Sequence, residues 1–262
     1  MEISLKDKVV VITGGSSGIG KSIVGSMREC SAQTIVIDLT IPSEKMERVT
    51  YYACDVSDGL EVRRTIQQIV EAFGTIDVLV NNAGINKPRL LVDIYGKDSK
   101  YVLTEEIYDQ IVGVNQKGVF LCSQAAAEVM VKKRSGVIIN ISSESGMEGS
   151  LGQSCYAATK GAVNSFTLSW AKELGPSNIR VVGVAPGINE KTGMTSPELY
   201  EAFAYTRNVP IEQLDTGYEK AIPLGRLGKL SEIGQLTAFL ASDLASYITG
   251  TTINISGGKS RG

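Results

Sequence analysis

The chain contains no histidine. That absence removes Ser-His-Asp triads and the usual zinc sites. Any proton chemistry therefore falls to Tyr, Lys, Asp, Glu or Ser, and no metal is expected. Cysteine is scarce as well. Cys30, Cys54, Cys122 and Cys155 form no C-x-x-C pair, so they read as reduced, mostly buried thiols. Cys155 adjoins Tyr156, where oxidation would disturb its neighbour. No charge of either sign dominates. The 26 Lys and Arg against 28 Asp and Glu leave a formal net charge of −2, and no basic excess points to nucleic acid. No apolar run approaches the ~20 residues of a membrane span. Met1 to Lys6 shows no apolar signal segment. The expectation is a cytoplasmic protein without membrane or nucleic-acid partners.

What is present suits one large α/β domain over residues 1–262, with 43% hydrophobic residues to fill a core. Continuous apolar runs such as Lys8 to Thr13 read as strands buried on both faces. They alternate with helical patterns: Gly59 to Phe73 places Leu60, Val62, Ile66, Ile69, Val70 and Phe73 on one side. Further strands are predicted at 34–38, 49–53, 76–80, 136–141, 179–184 and 251–255. Further helices are predicted over 21–30, from a cap at Thr104 through Asn115 to about Arg134, over 154–174 and over 231–240. Ser196-Pro197 and Val209-Pro210 look like helix starts with proline at the first position. Such alternation with right-handed crossovers builds one doubly wound parallel sheet.

Chemistry-bearing motifs fall at strand ends, where open α/β sheets bind ligands. After the first strand comes T-G-x-x-x-G-x-G, spanning Thr13 to Gly20, and then a helix. Gly14 permits the tight turn, Gly18 lets backbone approach a pyrophosphate, and Gly20 lets the helix pack on the strand. The loop residues Gly14, Ser16, Ser17, Gly18, Ile19 and Gly20 are thus a candidate phosphate cradle facing the helix N–H groups. Asp38 closes the second strand, 18 residues after Gly20. An acid there accepts from adenosine ribose hydroxyls and repels a 2′-phosphate, which argues NAD over NADP. Asp55 and Val56 end the third strand, and Asn81-Asn82-Ala83-Gly84 ends the fourth. Tyr156 and Lys160 stand four apart at the start of a helix, so both project from one face. A fixed ammonium there favours the phenolate and suits Tyr156 to pass a proton. The bare spacing also recurs by chance on solvated helices.

Taken in order, the glycine loop, Asn81 to Gly84, Asn115, Ser143, Tyr156-x-x-x-Lys160 and Pro186-Gly187 resemble the short-chain dehydrogenase/reductase family, in its subclass of about 250 residues. The resemblance spans nearly the whole chain. It implies a Rossmann-type, seven-stranded parallel sheet flanked by helices on both faces. It also implies that Tyr156 is the general acid/base and that Lys160 binds the nicotinamide ribose and lowers the tyrosine pKa. Ser143, 13 residues before Tyr156, would hold the substrate oxygen, with Ser142 as the neighbouring alternative. Asn115 would interrupt its helix and hold a relay water. Asp55 and Val56 would meet the adenine, Asn82, Ala83 and Gly84 would line the cofactor cleft, and Pro186, Gly187 and backbone at Ile188 would meet the carboxamide. The family often has Thr five residues after that Pro, whereas here Lys191 takes the place and Thr192 follows. Family members commonly form dimers or tetramers through their long helices, so a homo-oligomer is expected, with the tail from Ser256 to Gly262 able to reach a neighbour.

The substrate loops are polar. Asn86, Arg89, Glu144 and Gln153 are candidate substrate residues, with Glu148 and Asn189 nearby and a lid at about 188–226. This suits a polyol or sugar phosphate better than a fatty acyl chain. Lys87, Arg89, Lys97, Lys191, Arg207, Lys259 and Arg261 are candidate phosphate partners, Arg being the better for bidentate contact. The alternatives are another NAD-dependent sugar dehydrogenase, a reductase of 3-oxoacyl carrier-protein substrates, and a non-catalytic NAD sensor.

Overall fold

Successive strand residues point to opposite faces, and here both faces are covered. In a computed structural model that describes residues 3–97, 99–191 and 196–260, the strands are β1 (Val9–Thr13), β2 (Gln33–Asp38), β3 (Val49–Ala53), β4 (Val78–Asn81), β5 (Gly136–Ile141), β6 (Ile179–Pro186) and β7 (Thr251–Ile255). Val10, Ile12, Val36, Val80, Ile139 and Val182 point to one side. There they meet Ile23, Val24 and Met27 of α1 (Gly18–Glu29) and Ile233 and Leu240 of α9 (Leu230–Ala241). Val9, Val11, Ile35, Leu79, Ile138 and Val181 point to the other. They pack on Val62, Ile66 and Ile69 of α2 (Gly59–Phe73), on Cys122, Ala126 and Met130 of α4 (Val119–Lys133), and on Ala171 of α6 (Ser154–Leu174). Each fully buried Val, Leu or Ile contributes about 1.5–3 kcal/mol, so this two-sided burial explains the unbroken apolar runs.

All seven strands are parallel, in the order β3-β2-β1-β4-β5-β6-β7. The order reverses between β1 and β4, which pair through Val10 and Val78, Val11 and Leu79, and Ile12 and Val80. Their C-terminal ends therefore open a crevice between the glycine loop and the Asn81 to Gly84 turn.

Several boundaries differ from the sequence expectations for local reasons. α1 begins at Gly18 because the glycine loop runs directly into the first helical turn. α2 has the expected bounds: Asp58 caps it, accepting from Leu60 N (2.7 Å) and Glu61 N (3.1 Å), and Gly74 ends it at φ 80°. The single helix expected from Thr104 to about Arg134 is α3 (Glu105–Val112), a π-helical turn (Gly113–Gly118) and α4. In 188–226, α7 (Pro197–Arg207) starts as expected, with Ser196 Oγ accepting from Leu199 N at 3.2 Å. Pro210 starts only a 3-10 turn, Ile211–Gln213. The short α5 (Ser145–Glu148) and α8 (Tyr218–Ala221) were not expected.

Ser256 to Ser260 folds onto its own chain. Ser260 N donates to Ser256 Oγ (3.1 Å), Asn254 Nδ2 donates to Ser260 O (2.8 Å), and Lys259 pairs with Glu144 and Glu148. No helix among the described residues is long and apolar enough to cross a membrane, and none of their acid or thiol clusters would hold a metal ion.

Candidate active site

Glycine is required in the loop after β1 for steric reasons. Gly14 has φ +66°, and a Cβ on it would lie 2.8 Å from Ala83 Cα. A Cβ on Gly20 would lie 2.0 Å from Gly14 O. The loop is also stapled to the turn after β4. Asn82 Nδ2 donates to Thr13 O (3.1 Å) and Gly14 O (2.9 Å), and Thr13 Oγ1 accepts from Asn82 N and Ala83 N, both at 3.0 Å. We expect Gly20→Ala to separate helix from loop at a cost of about 1–3 kcal/mol and to weaken NADH binding. Thermal unfolding and a NADH fluorescence titration measure the two effects; unaltered values of both would contradict the packing described.

A cleft of ≈ 350 Å³ runs from this loop to the start of α6. Its walls include Gly14, Ser17, Gly18, Ile19, Gly20, Asp38, Asp55, Val56, Asn82, Ala83, Gly84, Tyr156 and Lys160, all expected from sequence. Ile37, Leu39, Cys54, Ile85, Val114 and Ile141 also line it and were missed, as does Ser142, which was expected only as the alternative to Ser143. Most of these adjoin an expected residue at a strand end, so extending each motif by one position finds them. Ser16 is not on the walls. Its N–H donates to Asp38 Oδ2 (2.9 Å) while Leu39 N donates to Asp38 Oδ1 (2.8 Å), so it positions the acid. Pro186, Gly187 and Ile188 also lie off the walls. Pro186 O accepts from Glu144 N (3.0 Å), and Gly187 N donates to Ile255 O (3.0 Å). Thr192 lies outside the described residues.

Tyr156 and Lys160 lie one turn apart on α6, the Lys160 ammonium 5.7 Å from the centre of the Tyr156 ring. Lys160 is only 4% exposed and donates to Ile141 O at 2.8 Å. Burial lowers its pKa to about 8. Burial pushes the Tyr156 phenol up, and a hydrogen bond with Ser143 opposes the rise. The Lys160 ammonium is turned toward the Ile141 carbonyl. The two serines separate clearly. Ser142 Oγ donates to Lys160 O (3.1 Å), whereas Ser143 bonds the Tyr156 side chain.

Asn115 sits in the π-helical turn, fully buried. Its Oδ1 accepts from Ile85 N (2.8 Å), and its Nδ2 donates to Ile85 O (2.9 Å) and Thr159 Oγ1 (3.3 Å). It thereby ties the turn after β4 to the residue before Lys160. A Cβ on Gly84 would lie 3.4 Å from Asn115 Oδ1 and 3.7 Å from Lys160 Nζ. Cys155 is buried, its thiol pushed up by burial, which disfavours the reactive thiolate.

The substrate candidates Asn86, Arg89, Glu144 and Gln153 lie off the cleft walls. Glu144 follows Ser143; its Oε1 pairs with Lys259 Nζ (2.9 Å), while its Oε2 is buried without a partner. Burial raises the Glu144 pKa, against the Lys259 contact. Asn86 Oδ1 is likewise buried and unpartnered. Gln153 Oε1 accepts from Ser150 Oγ at 2.6 Å. Arg89 pairs with Gln153 as an isolated parallel bridge. A wider hollow of ≈ 490 Å³ lies between Tyr95, Tyr101 and α7, but no catalytic candidate lines it.

With this geometry in hand, residues 8–201 match the family described as short chain dehydrogenase. The chain belongs to that family. A sorbitol-6-phosphate 2-dehydrogenase of Klebsiella pneumoniae is 54% identical over 99% of this chain and 98% of its own length. A 3-oxoacyl-[acyl-carrier-protein] reductase of Thermotoga maritima is 39% identical over 97% of this chain and 98% of its own. Among solved structures, an aldohexose dehydrogenase of Thermoplasma acidophilum superposes with TM-score 0.83 at 31% identity, covering 97% of this chain and 94% of that one. A 3-ketoacyl-(acyl-carrier-protein) reductase of Brucella melitensis complexed with NADH gives TM-score 0.83 at 30% identity, covering 98% of this chain and all of that one. The short-chain dehydrogenase described here is accordingly an oxidoreductase with a nicotinamide dinucleotide cofactor, and its glycine cradle and cleft fit that cofactor.

Proposed function

We propose that this dehydrogenase oxidises sorbitol 6-phosphate to fructose 6-phosphate with NAD. The observation that carries the substrate class is the pair of buried, unpartnered oxygens, Glu144 Oε2 in the residue after Ser143 and Asn86 Oδ1 in the residue after Ile85 of the cleft wall. A buried acceptor without a donor costs about 1–3 kcal/mol. A polyol carries hydroxyl donors for both; an acyl chain carries none. The K. pneumoniae relative supports the particular substrate.

Asp38 supports NAD. Its carboxylate closes the cleft at the end of β2, and no Lys or Arg stands at Gly15, Ser16, Leu39 or Thr40 to receive a 2′-phosphate. Gly14, Gly18 and Gly20 would cradle the pyrophosphate, Asp55 and Val56 the adenine, and backbone at Ile188 the carboxamide. When bound, the nicotinamide supplies the hydride acceptor. Ser143 holds the substrate oxygen against the phenol. Tyr156, as phenolate, takes the alcohol proton while the C2–H bond yields its hydride; in reduction the phenol returns that proton to the forming alkoxide. Lys160 supports the phenolate with its charge and binds the nicotinamide ribose, and Asn115 carries the water relay beyond it. Residues 188–226 serve as the substrate lid. The exposed Tyr108, Phe120 and Leu168 on α3, α4 and α6 support a homo-oligomer joined through these helices, which we place in the cytoplasm.

A panel of free and phosphorylated polyols, with NAD and NADP, tests the reading. We expect kcat/KM for sorbitol 6-phosphate with NAD to exceed that for sorbitol by roughly tenfold or more, as charge-assisted recognition provides. Equal rates, preference for acyl thioesters with NADPH, or NAD binding without turnover of any polyol would each overturn it.

A further inference from the structure

Most basic side chains near the substrate loops are already engaged. Lys87 donates to Gln110 Oε1, and Lys97 to Asn208 Oδ1. Lys191 pairs with Asp215 at 2.8 Å, and Lys259 with two glutamates. Arg207 lies over the Phe203 ring at 4.5 Å in the last turn of α7, where the helix dipole favours a cation. Arg261 lies outside the described residues.

Arg89 is different. It is half-buried, and its one side-chain donor bond is from Nη1 to its neighbour's Pro88 O at 2.7 Å. Its Nε is buried without any partner. Among the described residues no carboxylate pairs with it; its guanidinium lies 5.6 Å from the centre of the Tyr101 ring. Burial holds its pKa below the ordinary value, with only Tyr101 opposing. Buried charges are normally paired, because an unpaired one loses hydration without return. A partner of negative charge is what this arginine lacks.

Its placement is suited to a substrate group. Arg89 N donates to Gly152 O (2.7 Å), and the bridge to Gln153 sets it three residues before Tyr156. With about 5 Å between paired backbones and about 1.5 Å per helical residue, the two Cα atoms lie within roughly 10 Å. The support under it is firm. Tyr101 stacks on Tyr205 of α7 at 4.4 Å and 21°, and Tyr205 Oη donates to Asp93 Oδ1 at 2.7 Å. Gly152 has φ +73°, and a Cβ there would lie 2.4 Å from Thr206 Cβ, so α7 presses directly on the backbone that accepts from Arg89 N.

We infer that Arg89 is the anion subsite of this active site and takes the phosphomonoester of the substrate through its guanidinium N–H groups. The inference rests on the polyol-phosphate reading and extends it by naming the group that reads the phosphate. Arg89→Gln is expected to lower the kcat/KM ratio of sorbitol 6-phosphate over sorbitol by about 10- to 100-fold. Arg89→Lys should lose part of that preference, and Arg64→Gln, exposed on α2, none. NADH affinity on the same samples reports that the fold is intact. If Arg89→Gln keeps the full preference, the subsite is wrong while the dehydrogenase reading stands. Inorganic phosphate, titrated against the NADH complex by phosphorus NMR, tests the subsite without turnover. Saturable binding in the parent chain that Arg89→Gln loses supports the subsite whatever alcohol is oxidised. Equal binding in both proteins, or none in the parent, overturns it.

Discussion

Tyr156→Phe is expected to lower kcat for alcohol oxidation by roughly 10²- to 10⁴-fold, the usual share of a positioned acid/base, while NADH binding persists. Only the hydroxyl is removed; the ring still fills the cleft wall beside Ile141 and Ser142. No histidine is present to substitute for it, and the Ser143 hydroxyl is too weak an acid to replace a phenol. The direction of the pH dependence follows from the shifted groups. Burial raises the phenol pKa, so the phenolate needed for oxidation grows in across the alkaline range and oxidation accelerates with rising pH. Above about 8, Lys160 begins to lose the charge that supports that phenolate, which moderates the climb; the apparent values belong to the pair. Reduction needs the phenol and keeps its rate until the alkaline end. Tyr156→Phe should flatten both profiles. A variant with near-parental kcat and the parental profile would remove Tyr156 from the chemistry.

Lys160→Met carries the second large effect, and it acts in two directions. Activity should fall by roughly 10²-fold or more, because a fixed charge beside the reacting oxygen is lost from a dry site. Stability should move the other way. The buried ammonium has a pKa of about 8, below the ~10.4 of an unfolded lysine. Between those values the unfolded chain binds more protons, so stability rises with pH across that window and the charge penalty is fully present below it. A displacement of that size corresponds to about 3 kcal/mol. Lys160→Met removes both the penalty and the slope. Urea unfolding of the two proteins near neutral pH and again near pH 10 measures this. A variant that is less stable near neutrality and keeps the parental slope would show that Lys160 is a structural hydrogen-bond donor to Ile141 O and little else.

Elements specified by local chemistry were legible in the sequence. α2 and α6, β5 and β7 have the bounds that apolar pattern, caps and turn glycines suggest. Thirteen of the cofactor candidates share one cleft because each ends a parallel strand or starts the helix that follows, and parallel strands deliver their C-terminal ends to one edge. What stayed hidden depends on distant partners. The interruption at Asn115 was legible only through the family resemblance, because the π-helical turn leaves the apolar periodicity of its helix almost unaltered and the Ile85 and Thr159 contacts of Asn115 lie 30 and 44 residues away. Lys259 meets Glu144 across 115 residues, so the inward fold of the tail had no local sign. The same holds for the charge balance of the catalytic pair. Spacing shows that Lys160 neighbours Tyr156; it does not show that burial dominates the phenol, because desolvation is set by the closed fold around it.

The most direct measurement is isotopic. Sorbitol 6-phosphate deuterated at C2 is incubated with the protein and NAD, and both products are analysed by mass spectrometry. Hydride transfer from C2 with proton removal by Tyr156 predicts fructose 6-phosphate and NADH in equal amounts, with the deuterium in the NADH and the whole reaction suppressed in Tyr156→Phe. Label retained in the sugar phosphate, or no NADH formed by the parent protein, would contradict it.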